Sequence, residues 1–152
     1  MTRINLIPVK LLADQHLFAE WREIKMVPAA LRRSLRTKSV NDILNSIPKR
    51  YTLNAGHVKF FYNKMKYLTD RYTLLSNELL ERSYSLSKIG TFKQFTLSIP
   101  AVFDTDNWLP DKQEVRINVQ RISTRINEKP GWYRHYGERV EVGYFDDMYN
   151  IL

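Results

Sequence analysis

Two residues near the start of the chain can do covalent chemistry together: Thr2, whose α-amine is free once Met1 is removed, and Glu23, which closes the stretch Ala13-Asp14-Gln15-His16-Leu17-Phe18-Ala19-Glu20-Trp21-Arg22-Glu23. An α-amine has a pKa of roughly 7.7 to 8, against roughly 10.4 for lysine, so a usable fraction is unprotonated at neutral pH without burial. Such an amine attacks an electrophilic carbon and forms an imine. Threonine is small enough at position 2 to permit removal of the preceding methionine. Glu23 follows His16 by two helical turns, so both side chains project from one face, and Arg3 and Arg22 add positive charge nearby in sequence. A carboxylate among arginines stays ionised and stabilises a developing cation, or shuttles a proton, at a sugar carbon. The same spacing also suits an ordinary helix surface with Glu20, Arg22, Glu23 and Lys25 in water.

Three segments carry the periodicity of helices that could position these groups, and none alternates as strands do. The first runs from about Asp14, a candidate N-cap, towards Leu35, with Leu17, Trp21, Ile24 and Leu31 on its apolar stripe; Pro28 should kink or divide it. In the second, across Val58 to Tyr84, Phe61, Met65, Leu68, Tyr72, Leu75 and Leu79 recur at helical steps. The third begins after Pro110, carries Val115, Val119, Ile122 and Ile126, and ends before Pro130-Gly131. The fold class expected is all-α, a compact single domain of three main helices with long connecting loops. Those connections, Thr37 to Asn54 and Ser85 to Asp111, are long enough to hide short elements or functional loops. Residues 138–152 read as an appendage to a body of residues 1–137, flexible or packed back through Tyr144, Phe145, Met148 and Tyr149.

The 152 residues suit one core and contain no cysteine, which removes disulfides and thiol chemistry. Asn5, Pro8 and Lys10 interrupt the first apolar stretch, which therefore does not read as a signal peptide, and no run approaches the roughly 20 apolar residues that span a bilayer. The chain carries a net charge of +8, and residues 138–152 are acidic, with Arg139 against Glu138, Glu141, Asp146 and Asp147, so the body is more basic than the whole. A polyanion is the natural partner for such a body, and a solvated basic surface is the plain alternative. Arg121 and Arg125, four apart on the third helix, could grip neighbouring phosphates. After them comes Trp132-Tyr133-Arg134-His135-Tyr136-Gly137, whose rings and guanidinium suit stacking on exposed bases, or, for Trp132 and Tyr133, sealing the end of a helix bundle.

Met1-Thr2-Arg3-Ile4-Asn5-Leu6, Ala13 to Leu17, Ala19-Glu20, Arg22-Glu23, Ala55-Gly56-His57-Val58, Phe60-Phe61-Tyr62 and Pro130 to Gly137 together resemble the bacteriophage-type pyrimidine-dimer DNA glycosylase with AP-lyase activity, the endonuclease V of ultraviolet repair. The likeness spans about residues 1–137 and is absent from the tail. It implies a compact helical enzyme with no metal and no cofactor, acting on double-stranded DNA that contains damaged pyrimidines or abasic sites. A monomer in the cytoplasm is expected, the host's if the gene is a phage's, with no membrane partner. The resemblance makes the amine of Thr2 the nucleophile at C1′ and Glu23 the essential acidic residue. It gives Arg3, Arg22, Arg121 and Arg125 phosphate contacts, has His16 support the site, and leaves Lys25, Trp132, Tyr133 and Arg134 as further DNA-binding candidates. His57 reads as structural, at a helix entrance. The sequence departs from the family at several positions: Met26 stands for an arginine, Lys25 for a proline, Trp21 for a tyrosine, Arg125 for a lysine and His135 for a tyrosine. A flexible ammonium at Lys25 does not replace a bidentate guanidinium. Met26, His135 and the acidic tail motivate an alternative, a paralogue that binds nucleic acid without catalysis or recognises another modified base.

Overall fold

In the chain's computed structural model the described residues are 3–86, 90–104, 107–141 and 143–149, without the side chains of Phe145, Met148 and Tyr149. Thr2, and with it the expected nucleophile, lies outside them. The expected first helix is two, α1 (Asp14–Glu23) and α2 (Met26–Leu35), divided at Ile24 and Lys25. Pro28 sits in the first turn of α2, where its missing N–H is one that no intrahelical carbonyl would have used. The N-cap of α1 is Ala13 rather than Asp14, and no side chain caps it. The carboxylate of Asp14 is engaged elsewhere, by Arg82 and by the backbone of Tyr136 and Gly137.

Helix α3 (Val40–Ser46), capped by Ser39, occupies the first long connection. The expected second helix is interrupted: α4 (His57–Phe60) ends in a turn through Lys64, and α5 (Met65–Glu81) then carries the long stripe. At the break the ammonium of buried Lys64 donates to the carbonyl of Phe60, 2.9 Å away, and lies over the Phe60 ring. Leu68, Tyr72, Leu75 and Leu79 are all buried, as the spacing predicts. The second connection holds α6 (Lys93–Thr96) and a 3-10 turn at Ala101–Asp104.

Helix α7 (Lys112–Glu128) starts where Pro110 allows, with Asp111 and Glu114 forming a reciprocal capping box. A small antiparallel hairpin that the sequence did not announce follows, β1 (Arg134–His135) with β2 (Glu138–Arg139), in the register Arg134 to Arg139 and His135 to Glu138. Its strands are too short for alternation to register. Val140 is buried beyond it, Tyr144 packs against the core, and α8 (Tyr144–Tyr149) lies along α7. The molecule is thus mostly helical and compact around one core, with α1 packed on α5. No described helix is long and apolar enough to cross a membrane.

Candidate functional site

The residues leading from Thr2 run through the protein rather than over it. Ile4, Asn5, Leu6 and Ile7 are buried in irregular backbone, and side chains, not a neighbouring strand, satisfy their polar groups. The Ile4 N–H donates to His57 Nε2 at 2.9 Å and the Ile4 carbonyl accepts from the Tyr51 hydroxyl at 3.1 Å. The Asn5 N–H and side-chain amide donate to the two oxygens of Glu20. Asn118 Oδ1 accepts from the N–H groups of Leu6 and Ile7, while its amide nitrogen donates to Asn5 Oδ1. Arg71 holds the Ile7 carbonyl at 2.6 Å and pairs in two bonds with Glu20.

This cradle delivers Arg3 into a group of like charges. Arg3, Arg121 and Arg125 line a cavity of about 360 Å³ together with Asn54, Gln120 and Glu128, whose carboxylate pairs with Arg125 at 3.1 Å. Burial lowers the pKa of Arg121 to about 10, and Arg3 and Arg125 push it the same way, against the opposing pull of Tyr51 and Glu23. Burial and Arg125 likewise lower Arg3. Half-buried Glu23 is close enough to act electrostatically on both Arg3 and Arg121. Arg3 Nε and Nη1 are buried without a hydrogen-bond partner among the described residues, and so is His16 Nδ1. Buried polar atoms without partners cost free energy.

Of the residues expected in the site, Arg3, Glu23, Arg121 and Arg125 therefore come together. His16 joins them from α1: burial, then Arg121 and Arg125, lower its pKa to about 4, and its ring stacks on Tyr133 with centroids 4.6 Å apart. Arg22 and Lys25 are exposed outside this group, with the Arg22 guanidinium 5.6 Å from the centre of the Phe18 ring. Trp132 is 59% exposed and Arg134 is exposed, both on the hairpin segment. Among the described residues no group of three or more His, Cys, Asp or Glu could hold a metal ion.

His57 is structural and also supports the terminus. Its Nε2 accepts from Ile4, so Nδ1 carries the hydrogen and donates to the Thr52 carbonyl at 2.8 Å. Protonating Nε2 would set one N–H against another. Burial above all, with Arg3 and Arg121, lowers His57 to about 4 despite the bond to Thr52. The unfolded chain, with its histidine near the ordinary 6.5, therefore binds a proton between pH 6.5 and 4 that the folded chain refuses. The stability this supplies is fully present above about pH 6.5 and falls by about 3 kcal/mol as the pH drops towards 4. Thermal unfolding from pH 4 to 7 should show His57→Gln losing that part of the dependence, with the parallel contribution of His16 remaining. A variant as pH-sensitive as its parent would contradict the assignment.

The structure defines a helical protein whose buried segment of residues 4–7 leads to Arg3, which stands with Arg121, Arg125 and the carboxylates of Glu23 and Glu128. Residues 1–89, more than half of the chain, match the family model for pyrimidine dimer DNA glycosylase, and the chain belongs to this family of DNA repair glycosylases. Helix α7 and the hairpin lie beyond the matched residues.

Proposed function

We propose that this protein is a DNA glycosylase with AP-lyase activity that excises cyclobutane pyrimidine dimers. The α-amine of Thr2, exposed by loss of Met1, attacks C1′ of the damaged nucleotide. A bond forms from nitrogen to C1′ as the glycosidic bond breaks and the base leaves. The nitrogen loses a proton, and its lone pair then expels O4′ from C1′, so that the sugar ring opens, O4′ takes up a proton and a protonated imine is left. Removal of a C2′ proton expels the 3′ phosphate and cuts the strand. Glu23 stabilises the cationic sugar and moves these protons. Arg3, Arg121 and Arg125 hold phosphates around the lesion, with Arg22 and Lys25 as outlying contacts, and Trp132, Tyr133 and Arg134 meet the distorted duplex. Bending the duplex and flipping a nucleotide cost a few kcal/mol, less at damaged sites.

The observation that carries this reading is the position of Arg3. It is peptide-bonded to Thr2, and its unpartnered nitrogens stand with Arg121, Arg125 and Glu23. Imine chemistry on DNA requires an amine with a carboxylate and phosphate-binding groups near it, and Glu23, Arg121 and Arg125 near Arg3 support that reading. Borohydride reduction tests it: protein shown by intact mass to lack Met1 should form a trapped covalent complex with dimer-containing and with abasic DNA. No adduct from such protein would sink the proposal.

Two observations favour the alternative of a non-catalytic or differently specific paralogue. Met26 is 42% exposed where the family has an arginine. His135 spends its ring nitrogens within the protein, on the Lys10 carbonyl and the Tyr144 hydroxyl. Such a paralogue would show salt-dependent retention of DNA without scission.

A further inference from the structure

Asp14, Gln15 and His16, consecutive in the first turn of α1, together contact the hairpin segment 132–137 across more than a hundred residues of sequence. Gln15 Nε2 donates to the Trp132 carbonyl at 2.8 Å and Gln15 Oε1 accepts from the Arg134 N–H at 3.0 Å. Its amide thus pairs with the backbone on both sides of Tyr133, as a neighbouring strand would. The Tyr133 ring lies against His16. The two central residues of the turn, Tyr136 and Gly137, have φ of 52° and 80°, the left-handed pair that a tight two-residue hairpin demands. Tyrosine does not favour that conformation, yet it is held here. Asp14 accepts from the N–H groups of both residues, at 3.1 and 2.9 Å. Arg82, itself paired with Asp14 and Glu78, lies over the Tyr136 ring, and the Tyr136 hydroxyl donates to Glu78.

We propose that Gln15 and Asp14 are positioning residues that fix the aromatic segment on α1 for DNA binding and make no contact with DNA themselves. This rests on the reading of Trp132 to Arg134 as a DNA-contacting segment. Both amide atoms of Gln15 are already used by the hairpin, and a carboxylate at Asp14 would repel phosphate. The α1 motif therefore divides its labour. Glu23, at its far end, faces the arginines, and its first turn serves the hairpin. Exposed Trp132 depends on this clip for its orientation, because the backbone carbonyl that Gln15 holds is its own.

The test is a double-mutant cycle on dimer-containing duplex, with Gln15→Leu, Trp132→Ala and the pair, read as Kd. Amide exchange of Arg134 and Trp132 is followed in the folded protein. Gln15→Leu should weaken binding about tenfold, the worth of one stacked base, and speed exchange at Arg134 while the protection of α5 stays unchanged. In the Trp132→Ala background it should cost nothing further. Additive losses, or an unchanged exchange rate at Arg134, would overturn the proposal and leave the DNA-contacting segment standing. Trp132→Ala binding as well as its parent would overturn that segment's role and the proposal with it.

Discussion

Glu23→Gln should lower single-turnover cleavage of dimer-containing DNA by about two to four orders of magnitude, the range that a positioned acid or base contributes. The substitution keeps the size and planarity of the side chain. It removes the charge that acts on Arg3 and Arg121 and the oxygen able to accept a proton. DNA binding should survive, and tighten if it changes, because a negative charge has been removed from among phosphate-binding groups. Cleavage and anisotropy titrations on the same preparation, with intact mass establishing the free Thr2 amine, separate the two effects. Cleavage within a few-fold of the parent would remove Glu23 from the chemistry. Loss of binding in step with cleavage would make it a structural residue.

Thr2 and Glu23 could be proposed from side-chain chemistry, although the spacing alone suited a solvated helix surface as well. The three long helical stripes were legible because burial enforces the 3.6-residue period: Leu68, Tyr72, Leu75 and Leu79 are all inside. What holds residues 4–7 was harder to see. Glu20 belongs with Leu17 and Ile24 on the buried face of α1, and only 1% of it is exposed, so it is not the solvated residue that the surface alternative required. Arg71 lies between Leu68 and Leu75 on α5, and Asn118 between Val115 and Ile122 on α7, each in the same position on its stripe. A polar residue at a core position of an amphipathic helix is a signal that something polar must meet it there. Here three such residues meet the backbone of Asn5 to Ile7. The break between α4 and α5 had no such signal. No glycine or proline marks it, and Lys64 closes it through tertiary contacts with Phe60 and Asn63. The clip of Gln15 on the hairpin was equally silent, because a side chain pairing with distant backbone leaves no periodic trace.

Arg71→Met should cost about 3 to 5 kcal/mol of stability, a large share of the roughly 5 to 15 kcal/mol that holds a domain together. The guanidinium is buried, pairs with both Glu20 oxygens at 2.8 and 3.1 Å, and donates to the Ile7 carbonyl. Methionine fills much of the volume but strands a buried carboxylate and an unbonded carbonyl. Glu20→Gln should cost less, since glutamine still accepts from the Asn5 N–H, although the Arg71 charge is then unpaired. With both replaced, the stranded charge disappears. The double variant should therefore be more stable than the sum of the single losses predicts, a coupling that urea unfolding of the four proteins measures directly. Additive losses would mean that the pair is not coupled and that the cradle rests on Asn118 and His57. The same variants link stability to chemistry. Glu20 and Arg71 hold Asn5 and Ile7, so loosening them frees the segment that leads to Arg3. On the proposed mechanism, cleavage by the double variant, assayed well below its Tm, should fall more than DNA binding does, because the phosphate contacts proposed for α7 stay in place while the proposed nucleophile loses its alignment.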